Sequence, residues 1–257
     1  MTAFRILLAA MLSAAFTSLG VAQAPSQSPA PPPSAAASAG HPSEISISDT
    51  RRISFVSKVN GHGYSLSIAL PDSPPPPNGY PVLYVLDGDA YFGTAVEASR
   101  SNDNAPQAIV VGIGYPHDAE WPETILSKHK PLPKELAGVA PFWAAMTYAR
   151  LYDMSLPLNG AQLKEVAVTL PLGAGDVGGM DEFLKIIETE VKARVYALTQ
   201  VNREDQTLFG HSVGGLTVVD ALFTEPQAFR TFVAASPSIW WGDKEVLERE
   251  RRGSLPG

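Results

Sequence analysis

Ser212 sits in the run Gly210-His211-Ser212-Val213-Gly214, and a serine in that G-x-S-x-G setting can act as a nucleophile if the backbone turns sharply there. The turn must carry the chain from a strand into a helix, so that the hydroxyl stands exposed above the end of a sheet. Both flanks fit. Thr207, Leu208 and Phe209 form a short apolar strand before the run, and an amphipathic helix carrying Leu216, Val218, Val219 and Leu222 follows it. Gly210 and Gly214 leave room for the tight backbone, and the helix N-terminus favours negative charge developing beside the serine. Ser212 is therefore the candidate nucleophile of a serine hydrolase.

A second constellation, Asp87-Gly88-Asp89, closes the apolar run Val82 to Leu86. An apolar strand followed by D-x-D is also the shape of an aspartate-nucleophile phosphotransferase, whose paired carboxylates serve a divalent metal. Asp87 would then be the nucleophile, and the elbow around Ser212 would have no explanation. The chain has no cysteine, which excludes disulfides, thiolate metal sites and a cysteine nucleophile. No histidine spacing suggests zinc and no Gly-rich phosphate loop appears, so hydrolysis without metal or cofactor is the simplest chemistry.

Presenting Ser212 requires a sheet, and the sequence supplies its strands. Arg52 to Val59 and Tyr64 to Leu70 alternate around Asn60-Gly61-His62-Gly63, a hairpin signal in which His62 is a turn residue. Pro81 to Leu86 and Ala108 to Ile113 are nearly continuous apolar runs of the kind buried on both faces, with a helix expected between them from Tyr91 to Ser99. Strand, helix and strand at that spacing make a parallel crossover, so the expected class is α/β: a mostly parallel central sheet with an N-terminal antiparallel hairpin. Pro116 to Gly179 reads as a long low-regularity stretch, a lid or substrate wall. Helical spacing returns from Asp181 to Leu198, Thr231 to Ala235 is a short buried strand, and Lys244 to Arg251 is a last helix.

The chain has 257 residues, 45% of them hydrophobic, with a net charge of −7. That acidic balance, with no basic cluster, argues against a nucleic-acid partner. At the N-terminus Arg5 precedes the apolar run Ile6 to Phe16 and the small residues up to Ala22-Gln23-Ala24, the pattern of a secretory signal peptide over 1–22. The apolar core is too short to span a bilayer comfortably, so the expected place is periplasmic or secreted, without stable membrane insertion after cleavage. Residues 23–43 are Pro, Ala and Ser-rich, a composition that reads as a linker carrying His41. Residues 44–257 form the expected folded domain.

Several segments together resemble the esterase branch of the α/β-hydrolases, which holds ferri-siderophore esterases, S-formylglutathione hydrolase and mycolyltransferases. They are Val82 to Phe92 (VLYVLDGDAYF), Val110 to Pro116 (VVGIGYP), Arg150 to Pro157 (RLYDMSLP), Gly178 to Leu184 (GGMDEFL), Gly210 to Leu216 (GHSVGGL) and Ser236 to Trp241 (SPSIWW). Within the branch the combination is most similar to the periplasmic siderophore esterases. The resemblance implies a small-molecule ester substrate, such as a ferric siderophore, attacked by Ser212. It also implies an oxyanion hole from the backbone N–H of Val213 and of Asp89 in the loop after the third strand, with Gly88 permitting the approach. Arg150 and the Trp240-Trp241 pair fall where such enzymes contact substrate; the plainer alternatives are an Arg150 to Asp153 brace and a core tryptophan.

The sequence departs from this pattern at its end. The fold orders its catalytic residues Ser, Asp or Glu, then His, and some siderophore esterases use only Ser and His. No histidine follows His211, which itself belongs to the elbow motif, and His117 and His129 lie in the long stretch. The base, the acid and the last two strands would come after Gly257. The expectation is a C-terminally incomplete hydrolase, truncated or a degenerate paralogue, with little activity because a serine without its base is a weak nucleophile. A non-catalytic periplasmic binding protein that keeps the pocket is the alternative.

Overall fold

Strand β1 (Thr50–Val56) and strand β2 (Gly63–Ala69) form the expected antiparallel hairpin, with Phe55 opposite Tyr64. Its turn is closed by the Ser57 N–H on the His62 carbonyl at 2.8 Å, and Gly61 takes a positive φ of 75°. The computed structural model describes residues 46–101, 107–167 and 171–252. The expected leader and linker lie outside the described residues.

β2 then pairs antiparallel with β4 (Ile109–Gly114), and β4 pairs parallel with β3 (Tyr80–Val85). β5 (Val201–His211) runs parallel to β3 on its other side, and β6 (Thr231–Ala235) runs parallel to β5. The order across the six-stranded sheet is β1-β2-β4-β3-β5-β6. The central strands are buried because their sequences are apolar without alternation: all six residues of β4 are buried. A mostly parallel sheet with an N-terminal hairpin is thus what forms.

Two crossovers fix where chemistry can happen. Helix α1 (Gly88–Arg100) joins β3 to β4, and a later helix, Val213–Thr224, joins β5 to β6 in the opposite direction along the sheet. Such crossovers are right-handed, which puts the two helices on opposite faces and makes the gap between β3 and β5 a topological switch point. The C-terminal ends of those two strands, at Asp87 and Ser212, border that gap.

The stretch from Pro116 to Gly179 is more regular than its sequence suggested. It holds α2 (Glu120–Leu126), α3 (Pro141–Asp153) and α4 (Gly160–Val166). α3 starts with Pro141 at its first turn and buries Ala144, Ala145, Tyr148 and Leu151, a spacing of one helical face. α4 is closed by a capping box between Asn159 and Gln162. The expected helix after Asp181 forms as α5 (Met180–Ile186) and α6 (Lys192–Tyr196), joined by a π-turn over Ile187–Val191. Helix α7 (Val213–Thr224) is buried nearly all round rather than amphipathic, Asp220 included, and α8 (Glu245–Arg252) lies against it. Arg249 of α8 reaches Asp220 at 3.1 Å and Asp181 at 2.7 Å, which offsets part of the cost of burying Asp220, whose pKa burial still lifts to about 6.

Candidate active site

Ser212 follows the last residue of β5 and caps α7 with φ 60° and ψ −115°. That conformation is costly for a residue with a Cβ, and it persists here because three backbone hydrogen bonds hold it. The Ser212 N–H donates to the Ala235 carbonyl, and the Ser212 carbonyl accepts from the N–H groups of Leu216 and Ser238, each at 3.0 Å. Two nearby glycines, Gly210 and Gly215, are packed against backbone. A Cβ on Gly210 would lie 2.3 Å from the Gly214 carbonyl oxygen, because strand and helix backbones touch there. Gly215, which the sequence reading passed over, is tighter than Gly214: its Cβ would lie 3.0 Å from both the Ala235 oxygen and the Pro237 Cα. Ser212 is 6% exposed, and its Oγ lies 3.3 Å from the Oγ of buried Ser238.

Across the switch point, Asp87 takes a left-handed φ of 53° and turns the chain from β3 into α1. Gly88 and Asp89 therefore occupy the first turn of α1 and not a loop, as the sequence had implied. Their N–H groups are among the first-turn donors that a helix leaves without an intrahelical acceptor, as is that of Val213 at the start of α7. Gly88 is required by packing, since a Cβ there would lie 2.4 Å from the Gly112 carbonyl carbon in β4. The Asp89 carboxylate is held away from the helix end by the Tyr115 N–H at 2.9 Å and His117 Nε2 at 2.6 Å.

Arg150 donates through Nε and Nη2 to the two oxygens of Asp87, at 2.8 and 2.7 Å, and both side chains are largely buried. Burial alone would lower the arginine pKa; the adjacent carboxylate more than reverses this and keeps it charged. The alternative brace from Arg150 to Asp153 does not form. Asp153 is 2% exposed and accepts from the hydroxyls of Tyr64 and Tyr115 at 2.9 and 3.0 Å, and burial pushes its pKa up to about 7 despite those hydrogen bonds. The same geometry disposes of Asp87 as a phosphotransferase nucleophile. Its carboxylate is 3% exposed with both oxygens on Arg150, and Asp89 faces other partners.

The tryptophan pair divides. Trp241 is a core residue, 1% exposed, whose indole N–H donates to the Leu156 carbonyl at 2.9 Å, whereas Trp240 is only half-buried, with its ring 5.8 Å from that of Trp241. The four described histidines are placed as follows. His211 Nδ1 lies 3.0 Å from the Tyr91 hydroxyl, and His117 contacts Asp89 and packs on Phe142. His129 stacks on Tyr148 with its Nε2 3.5 Å from Asp176, and His62 meets the edge of Tyr152. The Tyr91 contact was not foreseen. It could have been, since Tyr91 lies one helical turn from Asp87, at the same sheet end as the elbow.

Residues 166–254 match the family described as "Putative esterase". The ferri-bacillibactin esterase BesA of Bacillus subtilis is 35% identical over 201 residues, covering 75% of this chain and 60% of that protein. The siderophore triacetylfusarinine C esterase of Aspergillus fumigatus is 34% identical over 178 residues, covering 66% of this chain and 48% of that protein. This chain thus spans about half to three-fifths of the length of these curated relatives. Among solved structures, the BES protein from Bacillus cereus superimposes with a TM-score of 0.63 at 31% identity, over 82% of this chain and 70% of that one. Sequence identity and superposition agree, and the chain belongs to that esterase family, with the α/β-hydrolase fold.

Proposed function

We propose that the chain is a serine carboxylic-ester hydrolase, cofactor-free, acting on siderophore-like esters through an acyl-enzyme on Ser212. The conformation of Ser212 carries this reading: a strained serine at a strand-to-helix turn, on the switch point of a mostly parallel sheet, has no structural need to be there. In the reaction Ser212 Oγ bonds to the ester carbonyl carbon, its proton passes to a base, and the alcohol leaves with a proton. Water then releases the acid. The carbonyl oxygen, negative in the intermediate, would be held by the N–H of Val213 and by the first N–H groups of α1, at Gly88 and Asp89. Arg150 acts in this reading by holding the Asp87 turn, which leaves half-buried Trp240 as the aromatic contact for substrate.

The base belongs to the proposal too. His211, His117, His129 and His62 lie on Tyr91, Asp89, Tyr148 and Tyr152, placements that favour slow turnover by this chain alone. The relatives named as siderophore esterases support the substrate class. Export to the periplasm or beyond remains proposed on the N-terminal pattern of Arg5, Ile6 to Phe16 and Ala22-Gln23-Ala24. The test is a fluorophosphonate probe followed by intact mass and peptide mapping. A single adduct on Ser212, absent in Ser212→Ala, supports the nucleophile; an adduct that survives Ser212→Ala, or none at all, removes it. Rapid hydrolysis of an aryl ester by the chain, lost in Ser212→Ala, would show that its own residues include the base.

A further inference from the structure

We propose that Ser238 is a positioning residue for the nucleophile, its hydroxyl supporting Ser212 Oγ as negative charge develops there. The inference rests on Ser212 being the nucleophile. β6 runs parallel to β5, so the chain leaving β6 at Ala235 arrives at the sheet end that carries Ser212. Ser236 takes a left-handed φ of 44° and turns the chain back over the elbow. The backbone of Ser238 is then fixed twice: its N–H donates to the Ser212 carbonyl at 3.0 Å, and its carbonyl accepts from the Trp241 N–H at 3.1 Å. Trp241 is itself locked in the core through Leu156. None of these bonds uses the Ser238 side chain, yet together they aim it at Ser212 Oγ, 3.3 Å away, on a residue 2% exposed.

The length of the resting contact leaves room for it to strengthen as Ser212 reacts. Neutral O–H···O bonds run about 2.5–3.0 Å, whereas bonds to an ionised oxygen are shorter and roughly twice as strong. At 3.3 Å the resting contact is weak. As Ser212 Oγ loses its proton, the Ser238 hydroxyl gains a charged acceptor with little water to compete, and the contact tightens. An interaction stronger in the reacting state than at rest raises the rate and leaves substrate binding unchanged.

The test measures second-order labelling of Ser212 by a fluorophosphonate, in which the Oγ–P bond forms, fluoride leaves and the serine proton passes to a base or to water. Parent, Ser238→Ala and Ser238→Thr are compared. Because Ser238→Ala keeps the backbone bonds, its unfolding midpoint should stay near that of the parent while labelling slows by roughly tenfold to a hundredfold. Ser238→Thr, which restores a hydroxyl, should recover most of the rate. Labelling of Ser238→Ala within twofold of the parent, or Ser238→Thr as slow as Ser238→Ala in a folded protein, overturns the inference but leaves Ser212 as nucleophile. If Thr is not accommodated, Ser238→Gly, also lacking the hydroxyl, must be as slow as Ser238→Ala, and a fast Ser238→Gly overturns it equally. An unlabelled parent overturns the nucleophile itself.

Discussion

Replacing Arg150 with methionine should destabilise the protein far more than a surface charge would. Arg150 and Asp87 share two hydrogen bonds at 2.8 and 2.7 Å, with side-chain exposures of 14% and 3%. Removing the guanidinium leaves the Asp87 carboxylate beside Leu86 and Gly214, where a Cβ on Gly214 would already be 3.4 Å from its Oδ2. Breaking such a buried pair from one side costs about 3–5 kcal/mol. At about 2–4 °C per kcal/mol for a unit of this size, the melting temperature should fall on the order of 10 °C. Arg150→Met with Asp87→Asn should recover most of that loss, because a pair replaced on both sides leaves no charge stranded. Urea unfolding of the two single variants and the double variant measures the coupling directly. A loss below about 1 kcal/mol in Arg150→Met, or a double variant no more stable than Arg150→Met, would refute the claim that this pair holds the turn into α1.

Asp153 gives a pH-dependent prediction. Burial lifts its pKa from 3.8 to about 7, so the folded state holds the proton more tightly than the unfolded chain does. The stabilisation is fully present below pH 3.8 and is lost as pH rises toward 7, with a slope of up to about 1.4 kcal/mol per pH unit from this group. Asp153→Asn should abolish that component, so parent and variant stabilities should converge, cross or reverse between pH 4 and 7, with the variant gaining on the parent as pH rises; parallel curves would contradict it. Gly210→Ala should both destabilise and inactivate, since its methyl would sit 2.3 Å from the Gly214 oxygen. A loss of about 1–3 kcal/mol and at least tenfold slower fluorophosphonate labelling are expected, and a variant that unfolds and labels like the parent would show that the elbow tolerates a side chain.

What the sequence determined by itself was local. The nearly continuous apolar runs Pro81 to Leu86 and Ala108 to Ile113 marked buried strands, and the Gly210 to Gly214 run between a strand and a helix marked the elbow, because burial and backbone geometry there are dictated by neighbouring residues. α3 was legible in principle through Pro141 and the spacing of Ala144, Tyr148 and Leu151, but the surrounding Pro and Gly residues masked its period. Partners distant in sequence were decided only by the tertiary structure. Arg150 is three residues from Asp153 and 63 from Asp87, yet it pairs with Asp87, because α3 ends over the switch point while Asp153 turns inward to Tyr64 and Tyr115. Ser238 reaches Ser212 for the same reason. Parallel pairing of β5 with β6 brings the two serines to one end of the sheet, and no local pattern in either segment encodes that register.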